Sequence, residues 1–129
     1  MTNVETLRKL LAAFNDNDFE TGRSLCHPDV TYTIRGHGPF AGTFRGPEGL
    51  ANALQAIRNA TGNTMTAEPE VIVSSDDHVM AYMRVHGSRP DGRTYDSHQA
   101  YLYRFTDGLL SEGQSIPVDQ KAFDEFTSG

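Results

Sequence analysis

Apolar residues recur at Val4, Leu7, Leu11 and Phe14. These three- and four-residue steps put one stripe along a helix from Thr2 to Asp16. Thr2 and Glu5 have the spacing of a capping box. A second, short helix is predicted over Phe19 to Cys26, capped by Asp18 and weakened by Gly22. His27-Pro28-Asp29 predicts a turn, because proline disfavours helix in the residue before it. The period then changes. Val30 to Arg35 alternates and is β-branched and aromatic, which predicts a strand. A glycine-rich segment follows, with a short strand expected at Thr43 to Arg45. Gly46-Pro47 opens a third helix, proline suiting the first helical position. Leu50, Ala53, Leu54 and Ile57 form its inward face, and Asn59 to Asn63 ends it.

From Met65 onward the pattern is sheet. Met65 to Ser74 is a strand weakened near Pro69, and Asp76-Asp77 turns the chain. His78 to His86 alternates, with Val79, Ala81, Met83 and Val85 on one face. Met80, Tyr82, Arg84 and His86 share the other. Pro90 to Arg93 is a turn, Tyr95 to Phe105 a long strand, and Asp107-Gly108 a hairpin signal. Leu109 to Ile116 is the last strand, and Asp119 to Phe126 a closing helix. Helices first and a meander afterwards predict one α+β domain over residues 1–129, its helices on one face of a curved antiparallel sheet.

Composition narrows the function classes. The net charge is −6 and the basic residues are scattered, which argues against a nucleic-acid partner. No apolar run approaches the ~20 residues of a membrane helix. The first residues lack the pattern of a signal peptide. Cys26 is the only cysteine, so a reducing cytoplasm is the expected location. The histidines lack the short spacings of zinc ligands, and no metal is expected. No phosphate-binding loop is present, since Pro39 stands where a backbone donor would be needed.

The order of these elements and its punctuation resemble the NTF2-like superfamily, in its SnoaL-like and ketosteroid-isomerase-like branch. The marks are Asn15-Asp16-Asn17-Asp18-Phe19-Glu20 at the end of the first helix and His27-Pro28-Asp29-Val30-Thr31-Tyr32. Ala41-Gly42-Thr43-Phe44-Arg45-Gly46 leads into the third helix, and Tyr103-Arg104-Phe105 with Asp107-Gly108 precedes the last strand. The resemblance covers nearly the whole chain. It implies a cone of bent sheet around helices, an apolar pocket inside, no cofactor, and a homodimer formed through the outer sheet faces. It also implies where a ketosteroid isomerase would carry its groups. Those positions fall on Ile34 for the base, Leu10 for the helix tyrosine and Tyr101 for the protonated acid. Isoleucine moves no proton, so a steroid-isomerase mechanism is not expected. Tyr101 retains the capacity to donate a hydrogen bond to an oxyanion.

Within that frame three residues are candidates for chemistry. His37 stands between two glycines, on a loop that by analogy rims the pocket, and histidine titrates near neutrality. Tyr101 shares one face of its strand with Gln99 and Tyr103, the face that the resemblance turns inward. Tyr32 has the parity of Ile34. The alternative for His37 is a solvated turn, and for the tyrosines an ordinary core. Leu10, Phe14, Ile34, Phe40, Leu54, Met65 and Met83 are expected as apolar walls, with Gln99 and Tyr103 also touching substrate. His98 has the opposite parity and faces inward only if the strand carries a bulge.

The function that fits is a SnoaL-like small-molecule enzyme performing acid–base cyclisation or isomerisation of a hydrophobic polyketide- or terpenoid-like substrate. His37 would shuttle the proton, and Tyr101 or Tyr32 would stabilise developing charge. One alternative is a non-catalytic dimeric binding module. Another is an epoxide hydrolase using Asp96 or Glu112.

Overall fold

A computed structural model describes residues 1–129. The chain runs α1 (Asn3–Asn15), α2 (Phe19–Ser24), β1 (Cys26–Ile34), β2 (Gly42–Arg45), α3 (Gly46–Ala60), β3 (Thr66–Ser75), β4 (His78–Ser88), β5 (Thr94–Thr106), β6 (Leu109–Pro117) and α4 (Gln120–Thr127). The caps expected at Thr2 and Asp18 form, and Asp119, expected as a helical residue, caps α4 instead. Thr2 accepts from the Glu5 N–H at 3.1 Å, Asp18 from Thr21 at 3.2 Å and Asp119 from Ala122 at 3.0 Å. Asp107 and Gly108 both take positive φ, 54° and 78°, the geometry of a two-residue hairpin turn.

The six strands form one curved, unclosed sheet in the order β2-β1-β6-β5-β4-β3. β3 to β6 is the predicted antiparallel meander, but β1 joins β6 in parallel. The turn expected at His27-Pro28-Asp29 does not occur. These residues lie in β1, between the paired positions Cys26 and Thr31, where the register with β6 shifts. The extended bias that proline imposes on its neighbour suits a strand as well as a turn. β3 is also irregular: Pro69 pairs with Met83 and Val71 with Tyr82, leaving Glu70 as the extra residue of a bulge. Along α3 the fully buried residues are Leu50, Ala51, Ile57 and Arg58.

The core lies between the sheet's inner face and the helices, and includes Leu7, Val30, Val79 and Met83. Arg58 is 4% exposed and has no carboxylate partner. It donates to the carbonyls of Met65 and of Asn15 (2.9 Å) and to Asn17 Oδ1 (2.8 Å), and lies 5.5 Å from the centre of the Phe14 ring. One side chain thus ties the C-terminal ends of α1 and α3 to the start of β3.

Candidate functional site

The inner face of the sheet is laid out in rows across the ladder. Gly113 of β6 pairs with Tyr32 of β1 on one side and Tyr103 of β5 on the other. One row on, Ser115 pairs with Ile34 and Tyr101, and beyond it Pro117 pairs with Gln99. Gly113 makes the first row possible. A Cβ there would lie 2.7 Å from Tyr32 Cδ2 and Cε2 and 3.2 Å from Tyr103 Cδ1. Its absence lets the two tyrosine rings lean over β6.

Tyr32, Ile34, Gln99, Tyr101, Tyr103 and Ser115 floor a cavity of about 120 Å³. α1, α2 and α3 roof it, and Asp18, Arg23 and Pro47 border its outer end. Of the expected site residues, Tyr32, Tyr101, Gln99, Tyr103, Leu10, Phe14, Ile34, Leu54 and Met65 line it. Two expected walls do not. Met83 is fully buried beneath the lining, and Phe40 packs partly buried against the core from its loop. Both satisfy the apolar pattern by filling space rather than by bounding it.

His37 is placed elsewhere. It is exposed, does not line the cavity, and is held through its backbone N–H, which donates to Asp124 Oδ1 at 3.2 Å. The flanking glycines serve α4 instead. Gly36, at φ +140°, abuts Asp124, and a Cβ on Gly38 would lie 2.8 Å from Thr127 Oγ1. The loop is glycine-rich because a helix from the other end of the chain lies against it. Asp96 and Glu112 also lie outside the cavity. Asp96 pairs with Arg84 at 2.8 Å and Glu112 with Arg104 at 3.9 Å, both at the surface. His98 faces Glu70 at 2.7 Å and stacks on Tyr82.

The polar floor is a set of neutral donors and acceptors. Tyr101 donates its hydroxyl hydrogen to Gln99 Oε1 at 3.0 Å, and Gln99 Nε2 donates to the Tyr95 hydroxyl at 3.2 Å. Tyr101 and Tyr103 stack with ring centres 5.8 Å apart. Burial pushes the Tyr32 phenol up to about 12, offset in part by hydrogen bonding with Ser115 and Tyr103. Tyr101 and Tyr103 are pushed well above the ordinary tyrosine value, first by burial and then by neighbouring phenols. At neutral pH these groups therefore act as hydrogen-bond donors and not as bases. Cys26 also lines the cavity, and burial raises it to about 11, so it stays a thiol. The one carboxylate at the cavity is Asp18. Its hydrogen bonds with Thr21 hold it below the usual carboxylate range.

Sequence reasoning missed Ser115, Cys26, Phe19 and Phe123 among the lining residues. Ser115 comes opposite Tyr101 only because β6 carries an extra residue, Ser111, between the paired positions Leu110 and Glu112; the Asp107-Gly108 turn alone sets Gln114 there. Phe123 gave only a helical stripe, with nothing to say that it ends in the cavity.

The profile of the SnoaL-like domain matches residues 7–113. The chain belongs to the SnoaL-like family. An uncharacterized protein of Mycobacterium tuberculosis is 28% identical, covering 96% of this chain and 95% of that one. Among solved structures, Bal32a from a soil-derived mobile gene cassette superposes with a TM-score of 0.92 at 28% identity, covering 97% and 95% of the two chains. IdmH of Streptomyces antibioticus, a candidate polyketide cyclase, superposes with a TM-score of 0.77 at 27% identity, covering 92% and 93%. Other structural neighbours are described as NTF2-like or cystatin-like, and this SnoaL-like chain shares their fold.

Proposed function

We propose that this SnoaL-like chain holds a compact hydrophobic molecule of polyketide- or terpenoid-like character, without a cofactor, and polarises an oxygen of it in cyclisation or isomerisation. The observation that carries this reading is the placement of Tyr101, Gln99, Tyr32 and Tyr103 together on the floor of a mostly apolar cavity. Neutral phenols in a water-poor site are suited to stabilising negative charge that develops on a carbonyl oxygen, and removal of one such donor typically costs ~10²–10³ in rate. His37 is too far out to shuttle the proton, so proton removal falls to Asp18 or to water at the outer end of the cavity. Both are weak bases. The chemistry is therefore one that orientation and hydrogen bonding accelerate, such as ring closure of a substrate already prone to enolise.

The second reading, a non-catalytic binding module, is favoured by the lack of a histidine in the cavity lining. One experiment separates the two. Cyclic and acyclic aromatic and terpenoid ketones are offered to the protein, with binding followed by calorimetry and product by mass spectrometry. Turnover that falls at least about a hundredfold in Tyr101→Phe supports the enzyme. Saturable binding with no product in any case supports the module. No binding at all overturns both. The epoxide-hydrolase alternative loses its basis, because Asp96 and Glu112 are outside the cavity.

The same proposal includes a homodimer through the outer face of the sheet. Val71, Val73, Met80 and Tyr82 are 41–54% exposed there and are neighbours across β3 and β4, an apolar patch of the kind that marks interaction sites. Met80→Glu should give a monomer by sedimentation, and an unchanged sedimentation coefficient would remove this part. No helix is long and apolar enough to cross a membrane. A cytoplasmic location is proposed on the single free thiol of Cys26.

A further inference from the structure

The cavity has two unlike ends. The outer one is bordered by the exposed Asp18 and the partly exposed Arg23 and Pro47. Away from them the cavity meets Phe123 of α4, a buried lining residue beside Tyr95. Its ring is 6% exposed and meets Tyr95 edge-on, with centres 5.6 Å apart. Tyr95 in turn accepts the hydrogen bond of Gln99, so Phe123 stands directly behind the polar floor.

α4 is also fastened differently from the other walls. The floor strand β5 is paired along its length with β4 on one side and with β6 on the other. α4 has eight residues, pairs with no strand, and is tied by side-chain hydrogen bonds and a buried apolar side. Arg89 donates to the carbonyls of Phe126 (3.0 Å) and Ser128 (2.9 Å), and Arg93 to those of Glu125 (3.0 Å) and Ser128 (2.8 Å). Cations at a helix C-terminus are stabilising there. At the other side Asp124 accepts from His37 N–H, and Gln120 donates to the Arg35 carbonyl at 3.2 Å. Inside, Phe123 and Phe126 supply the apolar hold, both against Tyr95.

A cavity of about 120 Å³ is smaller than the ~300–1,000 Å³ usual for ligand sites. It takes a one-ring molecule, and a longer one must run into Phe123. We propose that Phe123 is the specificity-determining residue of this site: it sets the length of ligand that fits, and α4 carries it. The inference rests on the ligand-binding reading above. It adds that selectivity is decided at Phe123 and not at the mouth. Truncation of a large buried side chain leaves space that can accept a benzene-sized molecule, so Phe123→Ala should add about one ring to the accepted length.

The test uses two probes, phenol and para-phenylphenol, with dissociation constants measured by calorimetry on the full chain. The readout is the ratio of the two constants, which a general loss of stability does not move. In Phe123→Ala the ratio should shift toward para-phenylphenol by about tenfold or more. Phe123→Leu, the milder change, should shift it the same way by less. Phe126→Ala should leave it unchanged, because Phe126 contacts Tyr95 without lining the cavity. An unchanged ratio in both Phe123 variants, or an equal shift in Phe126→Ala, would overturn the inference while leaving ligand binding intact. Failure of the wild type to bind either phenol would instead overturn the ligand-binding reading, and the inference with it.

Discussion

The hydroxyl of Tyr101 and the side-chain oxygen of Gln99 are joined by a 3.0 Å hydrogen bond on the inner face of β5, two residues apart in sequence. The bond commits the Tyr101 hydrogen to Gln99, and Gln99 passes a hydrogen on to Tyr95. A ligand carbonyl must therefore take the Tyr101 hydrogen from Gln99 or accept the second N–H of the amide. Tyr101→Phe should weaken binding of an oxygen-bearing ligand by about 3- to 10-fold, the worth of one ordinary hydrogen bond. An apolar ligand of the same shape should bind equally well to both forms. Paired titrations of a ketone and its hydrocarbon analogue check this.

His37→Ala should leave ligand affinity, any turnover and stability almost untouched, with a change within about 0.5 kcal/mol. Only the backbone of His37 is engaged. Gly36→Ala should be the damaging neighbour, since that position has φ +140° and abuts Asp124. Denaturant midpoints of the two variants measure the contrast.

Alkaline pH should unfold the protein through its cavity phenols. The folded values of Tyr32, Tyr101 and Tyr103 lie above the ordinary ~10, so the folded state binds these protons more tightly than the unfolded chain. The resulting stability is complete below about pH 10. It is lost as pH rises toward about 12, the value for Tyr32. A shift of that size corresponds to about 3 kcal/mol for Tyr32 alone. Ultraviolet phenolate absorbance should still be rising above pH 10, in step with the loss of near-ultraviolet circular dichroism. Complete, reversible tyrosine ionisation near pH 10 with the fold intact would contradict the burial.

Gly113→Ala should cost about 1–3 kcal/mol by overpacking, because the new methyl meets the Tyr32 ring at 2.7 Å. It should also displace the Tyr32 ring from the cavity floor, lowering ligand affinity beyond what lost stability explains. Chemical denaturation and ligand titration on the same sample separate the two effects.

Arg58→Met keeps an unbranched apolar stem and removes the guanidinium. It should destabilise by about 2–4 kcal/mol, since the carbonyls of Asn15 and Met65 lose their donor in a buried setting. Arg58→Lys should recover only part, because an ammonium lacks the fork that reaches the end of α1 and the residue before β3 together.

How much was legible in the sequence depended on how local the cause was. The caps at Thr2 and Asp18, the Asp107-Gly108 turn and the sheet pairing of β3 to β6 follow from neighbours in the chain, and were readable there. Tyr101, Gln99 and Tyr103 were correctly placed on one face because β5 pairs with β4 without a slip from Thr94 to Arg104. The role of His37 was not readable. The glycines on either side are explained by Asp124 and Thr127, some 90 residues away, and no local pattern reports such a contact. Met83 and Phe40 were misplaced for a related reason: alternation says which side of a sheet a residue faces, but not whether a cavity or a neighbour meets it. The strand runs through His27-Pro28-Asp29 because Cys26 and Thr31 on either side pair with β6, a partner from the far end of the chain.

The position of β6 between β1 and β5 has a consequence for how the chain is made. β1 and β2 leave the ribosome early, yet the strand that joins them to the rest of the sheet is residues 109–117. Until that strand arrives, the β1–β2 hairpin has only helices to lean on, and the Tyr32 side of the floor has no β6 to close against. A sheet completed by so distant a segment folds slowly for its size, because a long loop must close before its contacts form. The half-made domain exposes an unpaired β1 edge throughout that wait, which is the stage at which a chaperone would find it.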